Sequence, residues 1–297
     1  MKEETLEKRM EEIDSLPITH DFMFKAVFSQ PDIARPLIEA VTHDKVGDLQ
    51  NIVPEKTMNP SFTSASGRFD IWMANAKNIY DLEMQTGHFK DLVPRSEYYV
   101  GLSTTEANKD TKDFTKSKHH WQIFICTEDI FGYDERIYFL SRVLEGHPEK
   151  EIDSHSHIVF INIKGTKISL GKDIDELLRY MDKKENPTQN EYVETVDTAL
   201  ALAKQNPLVR RSYMEYRQMI EDEREEAKQE GINLGRKEGI EMGEARLICQ
   251  LANSMSTEEI AEKLSMDIQD VQSAIAYGKA ESTGTEVIHG VQTDDRG

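Results

Sequence analysis

The sequence has little cysteine, little positive charge and no long apolar run, and each shortage excludes a class of protein. Two cysteines among 297 residues are too few for a disulfide framework, a four-thiolate zinc site or an iron–sulfur cluster. No apolar run approaches the roughly 18 residues of a membrane-spanning helix. The first residues are charged where a secretory signal would be apolar. We therefore expect a cytoplasmic protein without a membrane segment.

Basic residues are outnumbered throughout the chain. The 36 Lys and Arg residues against 55 Asp and Glu residues give a net charge of −19. The imbalance is largest in residues 221–297, where 18 acidic residues face eight basic ones. An average field of this sign repels nucleic acid. Contact with nucleic acid therefore requires a local basic patch or a bound cation.

Hydrophobic residues make up 38% of the chain, which is enough for a folded core. Helical periodicity near residues 19–41 changes at about residue 69 to the alternation of β-strands, and a helical pattern returns after residue 173. The predicted strands are 69–74, 79–84, 121–126, 137–140 and 157–163, with a crossing helix at 96–107. This order predicts an α/β fold, with a mixed central sheet flanked by helices and an α-helical C-terminal extension.

Five segments are expected along the chain. They are a charged helix at 1–15, the core at 16–172, helices packing on the core at 173–225, a glycine-repeat helix with a helical hairpin at 226–280, and a disordered tail at 281–297. In the fourth segment Gly231, Gly235, Gly239 and Gly243 recur every four residues, and each costs a helix roughly 1 kcal/mol relative to alanine. Either they form a stripe that lets a second helix approach, or they loosen a linker.

The helical hairpin after the glycine repeat resembles a helix-turn-helix. Its second helix, residues 268–277, carries no Lys or Arg for a phosphate or a guanine. We therefore interpret this region as an element for homo-oligomerisation or partner binding rather than for DNA recognition.

Two alternating runs flank the turn-like residues 75–78 and predict an antiparallel hairpin. With the turn centred between residues 76 and 77, Ile71 faces Leu82 and Asp70 faces Glu83, on opposite faces of the sheet. Directly opposed residues have Cβ atoms about 4.5–5.5 Å apart. Two carboxylates this close repel unless a cation lies between them, and Mg²⁺, or alternatively Mn²⁺, suits such ligands. The alternative is two solvated acids on an open face.

A metal ion held by these acids would offset phosphodiester charge and lower the pKa of a water molecule. The backbone carbonyl of Met84 is a candidate third ligand. Gln85 is a candidate for orienting the attacking water, because a carboxamide neither accepts a proton as a base nor carries positive charge. Removal of the proton then falls to solvent or to a second metal ion.

The spacing Asp-x(12)-Glu-x-Gln of Asp70, Glu83 and Gln85 resembles the PD-(D/E)XK nuclease signature in an E-x-Q variant. Further segments resemble motifs of the recombination-promoting nucleases of the Rpn family, also called PD-(D/E)XK nuclease family transposases. These segments are HDFMFK at 20–25, YDLEMQ at 80–85, RSEYY at 95–99, QIFICTEDIFG at 122–132 and NIKG at 162–165. The glycine repeat is also typical of that family, and the resemblance runs from about residue 17 to residue 255.

The resemblance implies a restriction-endonuclease-like core, divalent-metal-dependent DNA cleavage and a role in the movement of mobile elements. It makes Asp70 and Glu83 metal ligands and puts Gln85 in the place of the usual lysine. It adds Asp21 as a further acid near the metal and sets Arg95 and Tyr99 beside the site.

A Lys/His loop is the basic patch that we expect to contact DNA. It contains Lys112, Lys116 and Lys118, and a merely solvated loop is the alternative. His119 and His120 follow in the sequence without a third ligand nearby, so no zinc site is expected there. His155 and His157 are expected to be structural.

A second hypothesis belongs to a different class. Gln85, the acidic total and the thin basic patch favour a catalytically weak or inactive nuclease fold that acts as a binding or regulatory protein. Cleavage of plasmid DNA in the presence of Mg²⁺ distinguishes the two hypotheses.

Overall fold

The structure, a computed structural model, describes residues 11–58, 67–87, 90–183 and 189–282. The chain divides between Glu215 and Tyr216 into two compact units. The first unit is built on a sheet, and the second consists of helices. No helix among the described residues is long and apolar enough to span a membrane.

Six strands form the main sheet, in the order β1-β2-β3-β4-β8-β5, and two short strands form a separate hairpin. The strands are β1 (Gln50–Met58), β2 (Gly67–Ala74), β3 (Asn78–Gln85), β4 (His119–Cys126), β5 (Ile137–Leu140), β6 (Val143–Leu144), β7 (His147–Glu151) and β8 (Ser156–Asn162). Strands β1, β2 and β3 pair antiparallel, whereas β3, β4 and β8 pair parallel. Strand β5 closes the sheet antiparallel to β8. The predicted mixed sheet is confirmed.

Eight α-helices can be bounded in the described ranges, besides a single 3₁₀ turn at Phe114–Lys116. They are α1 (Asp21–Phe28), α2 (Pro31–Thr42), α3 (Leu92–Ala107), α4 (Lys172–Lys183), α5 (Glu191–Gln205), α6 (Pro207–Leu251), α7 (Thr257–Leu264) and α8 (Ile268–Ser282). Local signals explain several ends. Pro31 lies at the first position of α2, where its missing N–H costs no hydrogen bond. The side chain of Asn190 caps α5 by accepting from the Val193 N–H at 3.0 Å.

The hairpin of β2 and β3 has the predicted register. Ile71 pairs with Leu82, and Met73 pairs with Tyr80. The turn is stabilised by Asn75, whose side-chain Oδ1 accepts hydrogen bonds from the backbone N–H groups of residues 77 and 78, at 2.9 and 2.7 Å. An asparagine that bonds to the backbone just after it favours such a turn.

The two faces of the sheet differ in polarity. On one face, apolar side chains from β2, β3, β4 and β8 are completely buried, among them Ile71, Leu82, Ile123 and Val159. The other face is covered by α3, whose residues Leu92 and Val100 pack on Phe124, Cys126, Ile158 and Phe160. By alternation, the buried polar residues Asp81, Glu83 and Gln85 of β3 and His120 and Gln122 of β4 lie on that same face. The fold thus groups several buried polar side chains beneath α3.

Some boundaries differ from the sequence expectation. Strand β1 and the hairpin of β6 and β7 were not predicted, and α3 begins four residues earlier than expected. Of the expected N-terminal helix at 1–15, residues 11–15 are described and are helical. Of the expected tail at 281–297, the first two residues belong to α8, and the others lie outside the described residues.

In the second unit the glycine repeat lies within one continuous helix, α6. Apart from the neighbouring backbone of α6 itself, no described atom lies within 4 Å of where a Cβ would stand at Gly231, Gly235, Gly239 or Gly243. Downstream, Ser256 and Glu259 form the capping box that begins α7, and Ile248, Ile260 and Val271 bring α6, α7 and α8 into one apolar cluster. Self-association through the glycine stripe therefore stays a prediction.

Candidate active site

Asp70 and Glu83 meet on the adjacent strands β2 and β3, one position beyond the Ile71–Leu82 pair. Each residue is only 8% exposed. The Asp70 backbone N–H donates to Glu83 Oε1 at 2.9 Å, and the Met84 N–H donates to Asp70 Oδ2 at 3.0 Å. Each carboxylate therefore reaches across to the backbone of the other strand, and the two acids are held as a rigid pair.

Helix α1 brings a lysine to this pair that the sequence interpretation did not assign to the site. The Lys25 side chain is buried, and its Nζ donates to Asp21 Oδ2 at 2.8 Å and to Glu55 Oε1 at 2.5 Å. The same ammonium lies 3.9 Å from Asp70 Oδ1. The sequence held a signal for this arrangement, because Asp21 and Lys25 are one turn apart on an otherwise apolar helix.

The electrostatics show that the site has too little positive charge. Burial, and then the negative charge of Asp21, raises the pKa of Asp70 to about 7. Burial, followed by the charges of Asp81 and Asp70, raises the pKa of Glu83 well above its usual value. Burial works to lower the pKa of Lys25, but hydrogen bonding to Asp21 and the surrounding acids raise it on balance. Burial and like charge, which Lys25 and Arg95 offset only in part, therefore disfavour the charged forms of both acids.

Gln85 and Arg95 extend the site at the end of β3. An Arg95 guanidinium nitrogen, from the first turn of α3, donates to the side-chain oxygen of Gln85. Arg95 also lies 6.0 Å from the centre of the Tyr99 ring, and that ring packs on Phe69 with 5.0 Å between centroids. Burial, and then the charge of Glu83, raises the pKa of Tyr99. Because Arg95 binds the amide oxygen, Gln85 presents its NH₂ group as a donor.

Asp81 lies on the same face as Glu83, one pleat earlier. It is fully buried, opposite Trp72 on β2 and beside Gln122 on β4. Burial raises the pKa of Asp81 well above its usual value. A carboxyl group enclosed in this way belongs to the packing beneath α3.

The structure does not bring the predicted DNA-contacting lysines to the carboxylates. Lys112, Lys116 and Lys118 are exposed in the segment before β4, and the Lys118 ammonium donates to the carbonyl of Asn75 in the β2–β3 turn. Gln85 ends β3 at the opposite edge of the sheet. An eight-residue strand such as β4 spans about 26 Å, so the lysines lie far from Asp70 and Glu83.

The residues present suit a hard divalent cation. Asp70 and Glu83 offer carboxylate oxygens, the ligand type that Mg²⁺ prefers. Burial and neighbouring carboxylates raise the pKa of both acids, and an ion of charge +2 between them would favour their charged forms. The third predicted ligand, the carbonyl of Met84, follows Glu83 directly in β3.

A protein-family model described as "PD-(D/E)XK nuclease family transposase" matches residues 18–233. The matched segment spans nearly three-quarters of the chain and contains Asp21, Lys25, Asp70, Glu83 and Gln85. No curated protein and no solved structure matches this sequence significantly.

Proposed function

We propose, from the premise that this chain belongs to the PD-(D/E)XK nuclease family transposases, that it is a divalent-metal-dependent DNA endonuclease of the E-x-Q type. It would hydrolyse phosphodiester bonds in transposition or recombination of mobile elements, in the cytoplasm. The observation that carries the proposal is the pair of buried acids, Asp70 and Glu83, each bonded to the backbone of the other's strand.

Asp70 and Glu83 would hold the metal ion, with the carbonyl of Met84 as a further ligand. When bound, Mg²⁺ or Mn²⁺ supplies positive charge against a phosphodiester oxygen and makes a water molecule more acidic. The acids must first lose their protons, so ion binding and proton release are coupled at this site.

The E-x-Q variant lacks the usual lysine, and Lys25 supplies positive charge in its place. Its ammonium comes from α1 and lies 3.9 Å from Asp70 Oδ1. Because the surrounding acids raise its pKa, Lys25 stays protonated at neutral pH and acts through charge and hydrogen bonding rather than as a base. Asp21 and Glu55 fix the position of this ammonium.

Gln85 and Arg95 position a water or phosphate oxygen and do not transfer protons. Arg95 binds the side-chain oxygen of Gln85, which fixes the direction of the amide NH₂ group toward a water or phosphate oxygen. In the hydrolysis, the water oxygen forms the new bond to phosphorus while a phosphorus–oxygen ester bond breaks, and the leaving sugar oxygen takes up a proton from solvent. The proton released by the water passes to solvent, because neither Gln85 nor the protonated Lys25 accepts it.

The test is cleavage of supercoiled plasmid DNA by the purified chain with Mg²⁺ or Mn²⁺. We expect Asp70→Asn and Glu83→Gln to lower the rate by about 100-fold or more, since loss of even an outer-shell partner of a metal costs about 10–100-fold. Asp110→Asn, at an exposed residue after α3, is the matched control. Equal cleavage by all three variants would contradict the assignment.

A catalytically weak or inactive binding protein is the second candidate. The observation that favours it is the engagement of Gln85 by Arg95 in a chain of net charge −19. Calorimetric titration with Mg²⁺ and Mn²⁺, run beside the plasmid assay, separates the two. Metal uptake that depends on Asp70 and Glu83, without cleavage of any DNA form, would favour the binding protein.

A further inference from the structure

A second group of chemically reactive side chains lies at the other edge of the sheet. His119 begins β4, and His157 lies near the start of the neighbouring strand β8. Their ring nitrogens, Nδ1 of His119 and Nε2 of His157, are 3.0 Å apart. Asp153 approaches from the loop before β8, and one ligand atom from each of the three residues lies within 4.8 Å of the others.

The sequence expectation that His119 has no third ligand nearby is therefore wrong. Strands β4 and β8 pair parallel, with Trp121 opposite His157. This pairing brings His119 next to Asp153 and His157, which follow it by 34 and 38 positions. No local sequence pattern reveals such a contact.

The neighbours of these side chains hold them in place. The ring of His119 stacks on His155 at 4.3 Å between centroids, and His157 stacks on Trp121 at 4.0 Å. The carboxylate of Asp153 accepts a hydrogen bond from the His155 backbone N–H at 2.8 Å. The arrangement is thus ordered before any ligand arrives.

The contact between the two imidazoles is close to the geometry that a metal ion needs. An N–H···N hydrogen bond has one proton between the two nitrogens. A change of tautomer moves that proton to the other nitrogen of its own ring. Two lone pairs then point into the same space. In a tetrahedral zinc site with Zn–N bonds of about 2.0–2.1 Å, neighbouring ligand atoms are roughly 3.3–3.4 Å apart. The rings would separate by a few tenths of an ångström.

We infer that His119, Asp153 and His157 form a second metal site, one for a transition-metal dication of the Zn²⁺ type. Two imidazoles and one carboxylate suit such an ion, whereas Mg²⁺ prefers oxygen ligands. The three residues leave a fourth position for water. The ion would tie the starts of β4 and β8 to the loop that precedes β8.

This site is separate from the carboxylates. His119 pairs with Asn78 on β3, and Glu83 lies five residues further along that strand, or about 16 Å at 3.3 Å per residue. The alternation of side chains also sets His119 and Glu83 on opposite faces of the sheet. The two sites therefore share no ligand, and either can be removed alone.

The test uses the full chain with the double substitution Asp70→Asn and Glu83→Gln, so that zinc taken up by the carboxylates does not confuse the result. After chelator treatment, the protein is titrated with Zn²⁺ against a coloured competing chelator. We expect one tightly bound Zn²⁺ per chain, which excess Mg²⁺ does not displace. Co²⁺ in the same site should give the visible absorption of a tetrahedral complex.

Substitution of the ligands gives the decisive comparison. Added to this background, His119→Gln and His157→Gln should weaken Zn²⁺ binding by roughly 100-fold or more, given that outer-shell changes alone cost about 10–100-fold. Asp153 is exposed, so Asp153→Asn tests the site without disturbing the core. His147→Gln is the control, since His147 is exposed on the separate hairpin.

Absence of stoichiometric Zn²⁺ binding in the background protein would overturn the inference. So would unchanged affinity in the three ligand variants, or an equal loss in His147→Gln. Because the background already lacks the carboxylate pair, these outcomes are independent of whether the protein cleaves DNA.

Discussion

The two edges of one sheet collect polar side chains of opposite chemical character. At the carboxyl end of β3, Asp70 and Glu83 are 8% exposed, and their ligand atoms are oxygens. At the amino ends of β4 and β8, His119 and His157 are partly exposed, and their ligand atoms are nitrogens. The difference lies in residue type, because both groups lie on the same parallel and antiparallel framework.

The comparison shows that the same framework balances charge in two ways. The carboxylates are like-charged and buried, so their pKa values are raised, and Lys25 offsets only part of their charge. The imidazoles of His119 and His157 contact each other through ring nitrogens and stack on His155 and Trp121. We therefore expect loss of metal to strain the carboxylate edge and to leave the histidine edge stacked.

The largest effect should appear in metal-free stability. The pKa of Asp70 is raised from 3.8 to about 7, so between these values the folded chain holds a proton that the unfolded chain has lost. The stability of the wild type therefore falls as the pH rises through this window, by at most about 4 kcal/mol at 1.36 kcal/mol per pKa unit. Asp70→Asn should show a smaller fall, because only Glu83 and Asp81 then contribute to it.

Urea unfolding in chelator from pH 4 to pH 8 measures this difference. Addition of Mg²⁺ at pH 8 should stabilise the wild type and not Asp70→Asn. Parallel pH profiles for the two proteins would mean that the carboxylate edge is not strained.

Next in size is the effect of Lys25 on cleavage. Lys25→Met removes the ammonium 3.9 Å from Asp70 Oδ1, and we expect a loss of about 100-fold in cleavage rate, comparable to that of one electrostatic group in an active site. Because the charge of Lys25 lowers the pKa of Asp70, the rate of the variant should rise at higher pH than that of the wild type.

Lys25→Arg keeps the charge and should retain more activity than Lys25→Met. Lys77→Met, at an exposed lysine of the β2–β3 turn, is the control. If the cleavage rate of Lys25→Met and its dependence on pH match those of the wild type, Lys25 is not part of the site.

A smaller effect is expected at the histidine edge. Zn²⁺ at ten times its dissociation constant should stabilise the fold by about 1.4 kcal/mol through mass action. Wild type and Asp70→Asn should gain equally in thermal unfolding, whereas His119→Gln should gain nothing. A gain that depends on Asp70 would mean that zinc enters the carboxylate edge instead.

The contrast between the two edges also explains what the sequence could predict. The β2–β3 hairpin is contiguous, its turn depends on Asn75, and alternation then determines that Asp70 and Glu83 share a face. Strand β1 was not predicted because Pro54 and Glu55 interrupt its alternation, and Glu55 has a positive φ of 55°.

Contacts between segments that are distant along the chain could not be predicted from the sequence. Lys25 precedes Asp70 by 45 residues, and a lysine on a helix is usually solvated. His119 and His157 meet through a parallel pairing that requires knowledge of the crossover between β4 and β8. The residues that complete each edge were therefore the ones that sequence patterns missed.

The smallest expected effect concerns DNA. Lys112 and Lys116 lie at the histidine edge, and cleavage is proposed at the other, so DNA that reaches both must run along the sheet for about 26 Å, or roughly eight base pairs. We expect Lys112→Gln and Lys116→Gln each to weaken binding of a long duplex two- to threefold and to lower the slope of its salt dependence by about 0.9.

A duplex that ends a few base pairs from the cleavage position should bind both variants as tightly as it binds the wild type, because it does not extend to the lysines. Lys172→Gln, at an exposed residue that begins α4, controls for the change in net charge. If the lysine variants weaken short and long duplexes alike, the two edges do not bind one DNA molecule in the proposed order. The two metal sites would then be independent of each other. A phosphate contact whose strength does not depend on duplex length gives no information about the distance between the two edges.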